Sequence, residues 1–179
     1  MNIGQEPLRL VATILFTVAG LGLHGPAWSA EPLRGNCHMD ICSWSNELSR
    51  DFLGSTVKGT LYEIRLLGGS STHRDGRYER KAPIRWNAKP QVSYVFCSKT
   101  LPMVMGIYEG NKLQVDFLQI GQGVIGAYLS SLSLYAFVCH NTRINDEVSF
   151  AKRFGYKPAL TEFEGLENRL VRPDDILQQ

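Results

Sequence analysis

The chain lacks any apolar run long enough to cross a membrane: its longest, Leu10–Leu23, has 14 residues, against about 20 for a spanning helix. It also lacks a charge excess. Nineteen Lys and Arg against 17 Asp and Glu leave +2, too mild to imply a nucleic acid or anionic membrane as partner. No repeat or low-complexity tract is visible, and a hydrophobic share of 44% argues against disorder. There is no N-x-S/T acceptor, no G-x-S-x-G elbow, no H-E-x-x-H and no Walker loop, so no motif declares an enzyme class or a cofactor.

What is present begins with an address. Met1–Arg9 carries one basic side chain, Leu10–Leu23 is uncharged, and His24–Ala30 turns polar and small. Ala27 and Ser29 stand at −3 and −1 of a cleavage point near Ser29/Ala30, the layout of a secretory signal peptide. Residues 1–29 are therefore read as a cleaved signal, and the protein as a bacterial periplasmic or secreted one without a membrane span. Lipid attachment is excluded because the first cysteine, Cys37, lies well beyond the apolar run. Removing the signal leaves about 150 residues, with residues 30–172 a single domain large enough for a sizeable core and residues 173–179 a flexible polar tail.

In an oxidising compartment Cys37, Cys42, Cys97 and Cys139 read as two disulfides. Cys37, Ile41, Trp44, Leu48 and Phe52 are spaced by 4, 3, 4 and 4, which predicts a helical face, with Asn36 as N-cap and Gly54 beyond its end. On such a helix Cys37 and Cys42 point about 140° apart. Both are therefore expected to cross-link the helix to Cys97 and Cys139, with the partner of each left open. A C-x₄-C spacing is not the C-x-x-C of a redox motif. Cys37, His38, Cys42, Cys139 and His140 do not have the paired spacing of structural zinc, and no metal is implied.

Downstream the period changes. Thr56–Leu67 places Tyr62, Ile64 and Leu66 on one strand face, broken by Gly68-Gly69-Ser70-Ser71. A basic loop follows over residues 73–81, then a short extended piece at Pro83–Asn87. Gln91–Ser98 is apolar on both faces, as an interior strand is. Met103–Tyr108 and Lys112–Phe117 flank Gly110-Asn111 as a hairpin. Tyr128–His140 fits helix or strand, with a lean to a helix ending near Cys139. Asp146–Phe154 reads as a short helix stopped by Gly155, and an amphipathic piece lies near Glu162–Leu170. The fold class is α+β: one N-terminal helix packed on a four- or five-stranded antiparallel sheet, short C-terminal helices and two disulfides.

The segment that looks deployed is the basic loop, where Arg74, Arg77, Tyr78, Arg80 and Lys81 stand in nine residues. It is the candidate site for a protein or anionic envelope partner. The expected function is an exported, disulfide-stabilised, non-catalytic binding or inhibitor-type module, whose oligomeric state the sequence leaves open. The alternative is a small periplasmic hydrolase using a histidine such as His140 or His38. The two differ in what they demand. An enzyme needs a concave pocket holding a histidine beside a carboxylate or serine; a binding module needs an exposed loop and buried, partnered histidines.

Overall fold

Strand pairing, rather than packing on an N-terminal helix, organises the chain. The computed structural model describes residues 31–108, 110–123, 126–157, 165–166 and 168–179. The signal-peptide segment and, within the amphipathic piece near 162–170, residues 162–164 and 167 lie outside the described residues. β1 (Leu33–His38), β2 (Ile41–Thr56), β3 (Gly59–Thr72), β4 (Arg85–Trp86), β5 (Gln91–Cys97), β6 (Met103–Tyr108) and β7 (Lys112–Phe117) precede α1 (Leu129–His140) and α2 (Glu147–Phe154). All pairings are antiparallel, in the order β1-β2-β3-β5-β6-β7, with β4 also pairing to β3. The fold is α+β, but its sheet has six or seven strands rather than four or five.

The expected helix over Cys37–Phe52 is a hairpin instead. Met39 and Asp40, at φ 47° and 62°, make the two-residue turn whose hand suits strand twist. Cys37 then lies directly opposite Cys42, and these two are bonded to each other. The other bridge is Cys97–Cys139. The pairing expected from helical geometry is therefore corrected: each disulfide closes within its own half of the molecule. The helical spacing was deceptive for a structural reason. β2 carries bulges between Glu47 and Ser49 and between Phe52 and Gly54. Each adds a residue and breaks the two-residue alternation. Ile41, Leu48 and Phe52, members of the supposed buried stripe, are exposed.

Gly68 and Gly69 do not end the third strand. A Cβ on Gly69 would fall 2.7 Å from the Trp86 ring, so the missing side chain is what lets β4 lie alongside β3. Farther on, alternation behaves as read. Ile64 and Leu66 face one side and Leu61 the other, and on β5 Val95 and Phe96 divide likewise. The hairpin of β6 and β7 turns through Gly110 and Asn111, both at positive φ.

The two faces of the sheet are covered by different segments. On one, α1 lays Leu132, Tyr135 and Ala136 over Ile64, Leu66, Val95 and Val104, with Phe150, Ala151 and Tyr156 closing the side. α1 is apolar on several faces, which explains its ambiguous pattern. It ends at Asn141 in the left-handed conformation, while α2 starts at Asp146, whose carboxylate accepts from Ser149 N–H, and stops at Gly155. On the other face Leu166, Leu170 and Ile176 cover Leu61, Phe96, Met103 and Met105. Residues 173–179, expected to be a flexible tail, hold a 3₁₀ turn at Pro173–Gln178 with Ile176 buried. Asp175 holds that turn by accepting from the backbone N–H groups of Val171 and Arg172.

Candidate functional site

The basic loop is clamped onto the tip of the β1–β2 hairpin. His73 is buried. Its backbone N–H donates to the Asp40 carbonyl at 2.6 Å, and the Asp40 N–H donates to Tyr78 Oη at 3.3 Å. The His73 ring meets Tyr78 edge-on, and Arg34 donates to the Tyr78 carbonyl at 3.1 Å. Beneath the loop a polar chain runs inward. Trp44 Nε1 donates to Ser71 Oγ at 2.7 Å, Ser71 Oγ meets His73 Nε2 at 2.9 Å, and His73 Nδ1 meets the Arg77 carbonyl at 3.3 Å. A carbonyl only accepts, so Nδ1 is the donor and Nε2 accepts from Ser71 in the tautomer that satisfies both contacts.

The five loop residues singled out from sequence separate into three roles. Arg77 and Arg80 both pair with Asp75, at 2.6 and 3.2 Å. Tyr78 faces inward as an anchor. Arg74 and Lys81 are exposed and make no ion pair among the described residues. At the hairpin tip Met39 is 79% exposed, and Ile41 is half exposed. The result is a tip closed by Cys37–Cys42 that presents an exposed thioether, with a loop held against it that carries two unpaired cations. Asp40, Ser71 and Trp44 are the parts that sequence reading missed. The cysteine spacing held the signal: a two-residue turn places residues five apart directly opposite each other.

The histidines named as possible general bases lie elsewhere. His38 is exposed at the end of β1. His140 is enclosed by Phe150 and Phe154, and its Nε2 meets Tyr156 Oη at 2.6 Å. Tyr156 Oη in turn contacts Tyr135 Oη at 2.8 Å, and Tyr135 donates to the Ser98 carbonyl. Burial, with Lys99 nearby, pushes His140 down to about 4. Burial also pushes Tyr156 up to about 12 and Tyr135 higher still. Lys99 sits over the Tyr156 ring at 4.2 Å and donates to the Phe154 carbonyl. Every polar atom in this network has a partner, and it joins β5, α1 and α2.

One histidine does meet a serine, at His73–Ser71, but Ser71 is only 2% exposed and already accepts from Trp44. That pair holds no oxygen free to attack a substrate. S-x-x-K spacing, a catalytic pattern when the two ends share a helix face, occurs at Ser55–Lys58 and at Ser149–Lys152. The first is the end of β2 and the turn to β3, with Lys58 N–H bonded to Thr56 Oγ1; the second lies on α2 with both residues exposed to solvent rather than set in a pocket. Among the described residues no group of three His, Cys, Asp or Glu could hold a metal ion, and no helix is long and apolar enough to cross a membrane.

Concave regions among the described residues also lie outside the loop. An open cleft of about 440 Å³ runs between the start of β1, the first turn of α1 and the segment Arg143–Asn145. A smaller groove of about 150 Å³ lies where β5–β7 meet α1, with Asp116 accepting from Ser131 at 2.6 Å. No family model, curated protein or solved structure matches this chain.

Proposed function

We propose that the protein is an exported, disulfide-stapled, non-catalytic binding or inhibitor-type module of the bacterial periplasm or exterior, which engages its target through the Met39–Asp40 turn and the loop over 73–81. The observation that carries this reading is the double hydrogen bond of Asp40 to His73 and Tyr78. A long polar loop is ordinarily mobile, and ordering its side chains on binding costs about 0.5–1.5 kcal/mol each. Here the backbone is already held, so Arg74, Lys81 and Met39 are presented by a rigid support. An exposed apolar side chain on a turn joined to a cationic loop suits an acidic protein surface with an apolar recess. The histidines support the same reading, since His73 and His140 are partnered and enclosed rather than set beside a carboxylate in a cleft.

The test is comparative capture from a periplasmic extract. The wild-type protein, a Met39→Ser/Arg74→Ser/Lys81→Ser variant and a Lys58→Ser control are immobilised at equal density. A specific partner should be retained by wild type and control and lost from the triple variant. Equal capture by all three would refute the tip as the binding surface. Hydrolytic turnover abolished by His140→Gln in a correctly folded protein would favour the small hydrolase instead.

A further inference from the structure

The cleft beside β1 is chemically unlike the tip and has its own ligand logic. Its volume of about 440 Å³ falls in the range of small-molecule sites, roughly 300–1,000 Å³. Leu33, Trp44 and Ile144 supply apolar walls, Arg34 and Arg143 supply two cations, and Glu31 supplies the one carboxylate among its lining residues. Each guanidinium carries five N–H donors. Arg34 gives one to the Tyr78 carbonyl, while Arg143 gives two to the carbonyls of Glu31 and Pro32. The remaining donors have no hydrogen-bond partner among the described residues.

The Glu31 side chain indicates which ligand group fits. Its carboxylate reaches Arg143 at 3.7 Å, yet the side chain is 84% exposed. It is a loosely held internal anion at the rim of a site with a cationic surplus. A guanidinium pairs a carboxylate through two parallel hydrogen bonds, a geometry that a long exposed tether from Glu31 does not impose.

We propose that this cleft binds a small organic carboxylate, the acid group held by Arg143 with Arg34 as second cation and the apolar body against Leu33, Trp44 and Ile144. The same chemistry can come from a free organic acid or from the C-terminal residue of a peptide. The cleft shares Arg34 and Trp44 with the contacts that support the loop, but its ligand would touch neither Met39 nor Arg74 nor Lys81, so the two readings fail on different variants.

Isothermal titration of the purified protein tests it with phenylacetate, with a tripeptide ending in phenylalanine, and with the amide of each. At least one acid should bind saturably, and its amide should bind about tenfold more weakly or worse, as expected for loss of a charge-assisted pair. Whichever acid binds identifies the source. Arg143→Gln should weaken binding by about tenfold, and Arg34→Gln by less. Glu31→Gln removes the competing carboxylate and should tighten binding severalfold, a gain that damage to the fold does not produce. No saturation by either acid up to about 10 mM, well above the millimolar constants of weak sites, would overturn the proposal. Equal binding of acid and amide, or no tightening in Glu31→Gln, would do the same.

Discussion

The two disulfides differ in the length of chain they close, and this predicts unequal contributions to stability. Cys37 and Cys42 are separated by 5 residues and Cys97 and Cys139 by 42. In the chain-entropy model the short bridge restricts the unfolded chain by roughly 2 kcal/mol and the long one by about 4 kcal/mol. Packing does not reverse the order. Replacing either pair with alanine removes two sulfur atoms, from fully buried Cys42 and partly buried Cys37 in one case and from partly buried Cys97 and Cys139 in the other. For a domain of this size, each kcal/mol moves the melting temperature by about 2–4 °C. Scanning calorimetry at neutral pH should therefore place Cys97→Ala/Cys139→Ala about 8–16 °C below wild type and Cys37→Ala/Cys42→Ala about 4–8 °C below it. The short bridge should matter more for binding than for stability, because it closes the turn that holds Asp40. A Cys37→Ala/Cys42→Ala variant that melts as low as the other, or lower, would refute the loop-length reasoning.

Four further outcomes rest on how particular side chains are held. His140, held near 4 by burial and Lys99, binds its proton more weakly folded than unfolded, so its stabilising contribution is present above the unfolded value of about 6.5 and is lost as pH falls toward 4. A fully desolvated group would contribute about 3 kcal/mol; partial exposure screens this to about 1–2 kcal/mol. Unfolding free energies from urea titrations at pH 7 and 4.5 should differ by that much more in wild type than in His140→Gln, and equal pH dependences would discount the histidine. Ile176→Ala should destabilise by about 2–4 kcal/mol in urea unfolding, because it opens a cavity over Leu61 and Phe96; a loss below about 0.5 kcal/mol, the scale of a surface substitution, would mean that the C-terminal turn is not part of the core. Arg74→Ser/Lys81→Ser should leave the melting temperature within about 2 °C, since unpaired surface cations contribute little. His73→Ala, by contrast, should lower it clearly by stranding Ser71, as thermal unfolding of the two variants side by side would show.

Local chemistry determined much of this protein. Strict alternation in Lys112–Phe117, the Gly110-Asn111 turn, the two apolar faces of β5 and the Asp146 and Gly155 caps all act within a few residues, and each element formed as its residues predict. The basic loop was equally legible as a composition. What neighbouring residues could not decide was which segments meet. β2 reads as a helix because two bulges disrupt its alternation, and bulges are set by the register against β3. The cysteine partners changed with that strand, since opposite positions on a hairpin bring Cys37 to Cys42. The arrangement of the loop depended on Asp40, 38 residues from Tyr78, and on Trp44, 27 residues from Ser71. Periodicity reports a buried face only when that face is flat and regular; register, bulges and the burial of a loop are decided by chain segments far apart in sequence, and so by the tertiary structure alone.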